Sequence, residues 1–117
     1  MRYLLLIYTD EQQDARRPPA EQEAIMGEYF VFTDEMRKVG VLQAGEALHP
    51  TTTATTVRLR QGQISSSDGP FAETKEQLGG YYLLNCENLD EAIQWAVKIP
   101  AARDGSVEIR PVWELEN

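Results

Sequence analysis

Two predicted strands of this chain have apolar side chains on both of their faces. Side chains alternate between the two faces of a strand, and in residues 2–8 (RYLLLIY) both alternating sets are mostly apolar. Residues 81–86 (YYLLNC) repeat this pattern. Strands of this kind have to be covered on both sides. The chain must therefore supply or recruit two covering layers for one sheet.

One covering layer is predicted from helical periodicity. Over residues 20–39 the apolar positions recur every three or four residues and form a single stripe. Pro19 lies near the first turn of this helix, and Gly40 is the typical residue just past a helix end. A shorter helix is predicted over residues 89–97, with Asn88 as its N-cap. The stripe of the long helix consists of Ile25, Met26, Tyr29, Phe32, Met36 and Val39.

A β-hairpin is predicted in the middle of the chain. Residues 54–60 alternate between the two faces of a strand, and Gln61-Gly62 supplies a turn. A return strand through Ile64 would close the hairpin. It follows a short predicted strand at residues 41–45.

The other connections are read from turn residues and polarity. Residues 9–19 are mostly polar and are predicted to be a loop. Gly79-Gly80 is expected to separate the preceding charged stretch from the strand at residues 81–86. Residues 107–114 alternate as a last strand, and Pro111 places that strand at a sheet edge or a bulge.

The predicted order is strand, long helix, strand, hairpin, strand, short helix, strand. A length of 117 residues allows one domain, residues 1–117. Two helices can cover one face of an antiparallel sheet, which makes the fold class α+β. The other face of the sheet is then left apolar and uncovered, and a second copy of the chain is its simplest cover. We therefore expect a homodimer.

Composition excludes several classes of protein. The formal charge is −8 and the sequence pI is about 4.6, which argues against nucleic-acid binding because phosphate contacts need clustered Lys and Arg. No apolar stretch approaches the roughly 18 residues that span a bilayer. The first apolar run is too short for a signal peptide, so we expect a cytoplasmic protein without membrane contact. Cys86 stands alone and is expected to be a buried, inert thiol.

His49 is the one histidine and the first candidate for chemistry. It could act as a general base near the turn Asp68-Gly69-Pro70, or it could be a loop residue ahead of Pro50. Asp68 could orient a catalytic group, or its side chain could only bond the backbone of the turn. No spacing typical of a metal site or a cofactor fingerprint is present, so neither a metal nor a cofactor is expected.

Further candidates for binding lie beside these residues. Glu73 and Lys75 could contact a polar substrate or form a solvated face. Tyr29 could line a pocket or donate its hydroxyl to a developing oxyanion, although aromatic residues at helical spacing also build cores and interfaces.

Residues 68–81 (DGPFAETKEQLGGY) resemble the signature of the DGPF-domain proteins of the YCII-related family. Residues 1–8 (MRYLLLIY), 41–50 (VLQAGEALHP) and 99–112 (IPAARDGSVEIRPV) are similar to that family too. The resemblance implies a ferredoxin-like antiparallel sheet with two helices on one face and an added β-hairpin, paired into a dimeric α/β barrel.

The same resemblance bears on function. Several DGPF-domain proteins are encoded beside extracytoplasmic-function sigma factors. In shorter YCII-related proteins a helix His and a nearby Asp have been proposed as an acid–base pair, and one such protein is a dehydrochlorinase of a chlorinated aromatic. The helix position of that His falls near Tyr29 here, and the predicted helix contains no His. That pair is therefore not transferred.

Two functions follow as hypotheses. In the first, the protein is a cofactor-independent enzyme or binder of a small molecule. His49 and Asp68 would handle protons in a cleft between the long helix and the sheet, and Tyr29, Glu73 and Lys75 would bind the substrate. In the second, the protein is an interaction module that regulates transcription through a sigma factor. The net charge of −8 is compatible with a basic partner surface.

Overall fold

The computed structural model describes residues 1–116, which form an α+β fold. The strands are β1 (Arg2–Thr9), β2 (Leu42–Ala47), β3 (Thr55–Arg60), β4 (Gln63–Asp68), β5 (Gln77–Asn85) and β6 (Ser106–Pro111). The α-helices are α1 (Glu11–Ala15), α2 (Pro19–Val39) and α3 (Leu89–Ala96). Short 3-10 turns span Thr51–Thr53 and Pro100–Arg103.

The main sheet is antiparallel, with β1 at its centre. Its strand order is β2-β5-β1-β6, so β6 forms one edge, as the proline at its end predicts. Leu5 in the middle of β1 lies opposite Tyr82 on one side and Ile109 on the other. Because residues directly opposite each other in a sheet have their side chains on the same face, these three side chains point to the same side.

That side of the sheet carries the hydrophobic core. Tyr3, Leu5 and Ile7 are at most 7% exposed and belong to one buried cluster with residues of α2 and α3. Both helices therefore cover the same face, as predicted. Burial of each large side chain contributes about 1.5–3 kcal/mol, which makes this layer the main source of stability. The helix residues of the cluster are Phe32, Met36, Ala92 and Ala96.

The other face of the sheet has no helix over it within residues 1–116. Leu4 and Leu6 of β1 point to this face and remain half-buried. Their neighbours across the strands are Leu83 and Tyr81 of β5. We call this surface the outer face, meaning the side chains of Leu4, Leu6, Tyr8, Tyr81 and Leu83.

The long helix begins and ends where local sequence dictates. Pro19 occupies its first turn, where a missing N–H costs nothing. Gly40 ends it with a φ of 93°, a left-handed conformation that favours glycine. Arg37 and Lys38 in the last turn complement the helix dipole. The helix prediction is confirmed to within one residue.

Two local predictions were wrong. Residues 9–19 contain α1 rather than only a loop, because the Asp10 side chain accepts hydrogen bonds from the backbone N–H groups of Gln12 and Gln13 and caps the helix. Strand β5 begins at Gln77, so Gly79-Gly80 lies within the strand rather than ahead of it, and the register with β1 shifts at Gly79, which forms a β-bulge. A Cβ at residue 80 would lie 2.8 Å from the backbone oxygen of Glu46, which explains a glycine there.

Strands β3 and β4 form a separate two-stranded sheet, which we call the arm (residues 55–68). Gln61 and Gly62 connect them with φ values of 52° and 75°, as a two-residue hairpin turn requires. The radius of gyration is 16.3 Å, against about 13 Å for a compact domain of this length. The chain is also flat, with extents of 48 × 47 × 18 Å.

Candidate functional site

Helix α1 is fastened to the segment that follows His49. Thr51 donates its backbone N–H to Oε1 of Glu11 at 2.8 Å and its hydroxyl to Oε2 at 2.7 Å. The backbone N–H of Glu11 donates to the side-chain oxygen of Gln77 at 3.0 Å. These bonds join the end of β1, the start of β5 and the turn after Pro50. His49 is therefore held close to the end of the sheet from which the arm departs.

Tyr29 lies on the inner side of α2, half-buried against the Pro100–Arg103 turn. Burial raises its pKa to about 12, and the nearby Tyr82 and Asp14 act in the same direction. The backbone of Ala101 and the guanidinium of Arg103 oppose the shift without cancelling it. The phenol is therefore neutral at physiological pH.

A second pair of hydroxyls lies between the same helix and the sheet. The hydroxyls of Thr33 and Tyr82 are 2.9 Å apart. The ring of Phe32 packs edge-on against Tyr82, with 5.6 Å between the ring centroids. We call Tyr29, Thr33 and Tyr82 the hydroxyl cluster. It is a polar feature in an interface that is otherwise built from apolar side chains.

Charged side chains enclose the Tyr29 end of this cluster. Arg17 pairs with Asp14 at 3.4 Å, with Glu21 at 2.9 Å and with Asp104. Hydrogen bonds to these carboxylates raise the pKa of Arg17, and the bond to Asp104 contributes most. The guanidinium therefore stays charged. Arg103 donates to Glu28 at 2.7 Å. These pairs fasten the turn before β6 to α1 and α2.

His49 lies on the first connection between the main sheet and the arm, and Asp68 is the last residue of the arm. Leu48 donates its backbone N–H to the oxygen of Gly79 at 2.9 Å, and Gly69 donates to the oxygen of Ala54 at 2.7 Å. His49 thus follows the last bond between β2 and β5, and Asp68 precedes the bond that closes the base of the arm. Both side chains are exposed.

Glu73 and Lys75 follow on the second connection and are exposed as well. Within residues 1–116 no hydrogen bond or ion pair joins His49, Asp68, Glu73 and Lys75 to one another. The fold thus brings Tyr29 into the space between helix and sheet and leaves the other four candidates on the surface near the arm.

Two shallow depressions lie elsewhere on the surface. One has a volume of about 350 Å³ and lies between α2 and Lys98. The other, of about 270 Å³, lies between α3 and β6. None of the predicted site residues lines either depression. Cys86 is 3% exposed, and burial raises the pKa of its thiol to about 11, which agrees with the prediction of an unreactive residue.

Residues 1–116 contain no group of three His, Cys, Asp or Glu side chains placed to share a metal ion. None of their helices combines the length and the apolar character needed to cross a bilayer.

The sequence profile of the YCII-related domain matches residues 1–116. The chain belongs to the YCII-related family. It is 40% identical over 114 residues to an uncharacterized protein of Rhizobium meliloti (strain 1021), a match that covers 96% of this chain and 92% of that protein. The family and the relative agree with the resemblance noted in the sequence, and neither description includes an activity.

In this YCII-related protein, several site residues were missed by the sequence interpretation. Glu11 and Thr51 have no local signal, because they lie 40 positions apart and meet only through the fold. Arg103 and Asp104 in the turn before β6 bind Glu28 of α2 and Arg17, residues too distant in the chain for a local pattern to connect them. The one signal that could have found Glu11 is Asp10, whose capping side chain indicates a helix immediately after β1.

Proposed function

We propose that this YCII-related protein binds a small organic molecule between α2 and the sheet and transfers protons to or from it without a cofactor. The observation that carries the proposal is the hydroxyl cluster. Polar groups in an otherwise apolar interface are typical of sites that orient a small ligand. Tyr29 is the member that lies beside Asp14 of α1.

Tyr29 acts as the donor in this proposal. A neutral phenol can donate a hydrogen bond to an oxygen that gains negative charge during the reaction, and such donors often supply a large part of the catalytic effect. Its raised pKa, about 12, keeps the proton on the phenol throughout the physiological range. Tyr29 therefore stabilises charge and does not itself remove a proton.

His49 and Asp68 handle the protons that move. Histidine is well suited to accept and return a proton near neutral pH, and a carboxylate can orient it. The support is the position of α1, which contacts both the turn after His49 and the surroundings of Tyr29. Glu11 of α1 binds the turn after His49, and Asp14 of the same helix neighbours Tyr29. Glu73 and Lys75, on the connection after Asp68, bind polar groups of the substrate.

The active form in this proposal is a homodimer with two sheets packed face to face. The strand order β2-β5-β1-β6, with a helix after β1 and another after β5, is that of a ferredoxin-like fold, and pairing of two outer faces makes a dimeric α/β barrel. The subunit exposes 8538 Å², about 2100 Å² more than the roughly 6400 Å² of a compact monomer of this mass. An excess of this size matches what an obligate homodimer buries per subunit.

Proton transfer can be tested before the natural substrate is known. The wild-type protein is incubated in D₂O with a panel of small ketones and chlorinated phenols, and hydrogen–deuterium exchange at carbon is followed by NMR. We expect exchange faster than in buffer with at least one compound. The double variant His49→Ala, Asp68→Asn should lose this exchange, and Tyr29→Phe should slow it about 100-fold, as removal of an oxyanion donor does.

Tyr8→Phe is the matched control. Tyr8 also loses only a hydroxyl, but its side chain lies on the outer face with its oxygen 3.4 Å from Glu108, so exchange should be unchanged. Full exchange in the His49, Asp68 double variant would contradict the proposed roles. Exchange that is lost equally in Tyr8→Phe and Tyr29→Phe would contradict the location of the site.

A second candidate is the interaction module, favoured by one surface of α2. Met26 and Phe30, one turn apart on α2, are 56% and 69% exposed, although Met26 belongs to the apolar stripe predicted to face the sheet. Exposed apolar groups on one helix face suit a protein partner. In this candidate the partner is a sigma factor encoded beside the protein. Failure of the two purified proteins to form a complex during gel filtration would rule it out.

A further inference from the structure

Three charged side chains flank the outer face. Glu46 of β2 lies opposite Tyr81 of the outer face. On the other edge of the sheet, Glu108 and Arg110 of β6 lie opposite two leucines of the outer face. Because residues directly opposite each other have their side chains on the same side, all three charges point to the side of the outer face. They are exposed, and we call Glu46, Glu108 and Arg110 the charged rim.

The strand register arranges the outer face and its rim in two rows that run across the strands. In order from β6 to β2, the first row consists of Arg110, Leu4, Leu83 and Ala44. In the same order, the second row consists of Glu108, Leu6, Tyr81 and Glu46. Both rows are apolar in the middle. They differ at their ends, because the first row has one cation on β6 and the second has an acid on each edge.

One way to stack two such faces brings like charges together. A twofold dimer packs the same surface against itself, and for aligned sheets the axis runs either along the strands or across them. An axis along the strands keeps each row over its own copy and places β2 of one subunit over β6 of the other. Glu46 then lies over the partner's Glu108, and Arg110 lies over the partner's Ala44. The two acids repel each other, and the cation gains no acid.

The other way brings opposite charges together. An axis across the strands, between the two rows, places each strand over its own copy and exchanges the rows. Arg110 then lies over the partner's Glu108, and Glu108 lies over the partner's Arg110. Packed sheets are about 10 Å apart, a distance that an arginine and a glutamate side chain bridge together. Charge complementarity therefore favours the axis across the strands.

Within one subunit the arginine of the rim is only weakly engaged. Nη1 of Arg110 lies 3.6 Å from Oε2 of Glu108, and the two side chains are 67% and 47% exposed. An exposed pair of this kind contributes little to stability. Arg2, on the same side of β1, is bound by both oxygens of Glu114 at 2.6 and 2.8 Å. The guanidinium of Arg110 is thus the one better placed to bind a carboxylate of a second subunit.

We propose that a twofold axis across the strands relates the two outer faces, so that Arg110 and Glu108 of each subunit pair with the partner's Glu108 and the partner's Arg110. The inference rests on the homodimer proposed above and names the residues that determine its arrangement. The ion pair forms twice, once on each side of the axis. The same two residues disfavour the alternative arrangement, in which Glu46 and Glu108 would meet.

Charge reversal tests the pairing. Glu108→Arg leaves two cations on β6, and Arg110→Glu leaves two acids, so each variant has like charges at both contacts of its own homodimer. In a dimer of one variant with the other, both contacts again join opposite charges. Dissociation constants of each variant and of the equimolar mixture are measured by analytical ultracentrifugation, and native mass spectrometry distinguishes the mixed dimer by its mass.

We expect each variant alone to dimerise about tenfold more weakly than the wild type, because two attractive contacts become repulsive. The equimolar mixture should form mainly the mixed dimer, with an affinity within about threefold of wild type. The pair within the subunit is broken in both variants, so recovery in the mixture can come only from contacts between subunits. Net charge alone predicts another result, since Glu108→Arg changes −8 to −6 and would strengthen the dimer.

Two substitutions on α2 are the matched controls. Glu23→Arg and Arg37→Glu make the same changes of charge at exposed positions of the helical layer, on the other side of the sheet. Their homodimers should stay within about threefold of wild type, which is the usual scale for surface substitutions. Circular dichroism checks that all four variants are folded.

The outcomes separate this inference from the proposed homodimer. A wild-type dimer whose affinity neither rim variant changes would overturn the inference and leave the homodimer standing, as would a mixture that dimerises no better than its two components. A Glu108→Arg homodimer tighter than that of Glu23→Arg would indicate the axis along the strands, where the new cation would meet the partner's Glu46. A wild-type protein that is monomeric at every concentration would refute both proposals.

Discussion

Leu6→Glu tests whether the outer face is the subunit interface. Leu6 lies in the central strand, opposite Tyr81 on one side and Glu108 on the other. It is half-buried in the single subunit, so a glutamate can still direct its carboxylate toward water there. In a dimer with two outer faces packed together, the same carboxylate would lie in the middle of the interface.

The expected effect follows from burial and charge. Full burial of a leucine is worth about 1.5–3 kcal/mol, and about half of that is already gained within the subunit. Loss of the remainder in both copies costs about 1.5–3 kcal/mol per dimer. Each unsatisfied carboxylate adds at least about 1–3 kcal/mol, and its cross-strand neighbour Glu108 repels it further. The total is about 4 kcal/mol or more, a roughly 1000-fold weaker dimer.

Analytical ultracentrifugation measures this change, and circular dichroism checks that the variant is folded. The matched control is Val31→Glu, which introduces the same charge at a residue 70% exposed on the opposite layer of the molecule. The control should dimerise like the wild type. If Leu6→Glu also dimerises like the wild type, or if both variants weaken the dimer equally, the outer face is not the interface and the argument from uncovered apolar strands is wrong.

Three further predictions concern stability. Leu5→Ala should lower the free energy of unfolding by about 3–4 kcal/mol in urea titrations, because Leu5 is 0% exposed at the centre of the core; a loss below about 1 kcal/mol would contradict the assigned core. Glu11→Gln should lower the free energy of unfolding by about 1–2 kcal/mol and speed hydrogen exchange of the Thr51 amide, because it weakens the two bonds that Thr51 donates to this carboxylate. An unchanged exchange rate at Thr51 would argue against a stabilising role of these bonds. The pKa of Tyr29 is raised from 10.0 to about 12, so the folded state holds this proton more tightly and stability should fall as pH rises from 10 to 12. After allowance for partial exposure the loss is about 1 kcal/mol, and it should be absent in Tyr29→Phe.

Local signals were sufficient for the long helix and the hairpin. The stripe that includes Phe32 and Met36 identified the buried side of α2, and Gly40 identified its end. Gln61-Gly62 marked the turn of the arm. These features depend on contacts within a few residues, which the order of residues encodes directly. Helix α1 was missed because its polar residues have no periodicity, and only the Asp10 cap reveals it.

The candidate site could be predicted only in part. Tyr29 was selected from the sequence and lies between helix and sheet. The bonds around it were not predicted, because Glu11 with Thr51, Thr33 with Tyr82, and Arg17 with Asp104 are separated by 40, 49 and 87 positions. No local rule connects residues so far apart.

What the sequence determined by itself is the helical layer over one face of this sheet and the apolar character of both faces of its central strands. Two amphipathic helices supply that layer. Only the tertiary structure decided which face those helices take, that Gly80 passes close to the backbone of Glu46, and that the hairpin extends away from the sheet as an arm. The physical reason is that strand pairing sets these distances between remote segments, whereas periodicity records only whether a side chain prefers water or the interior.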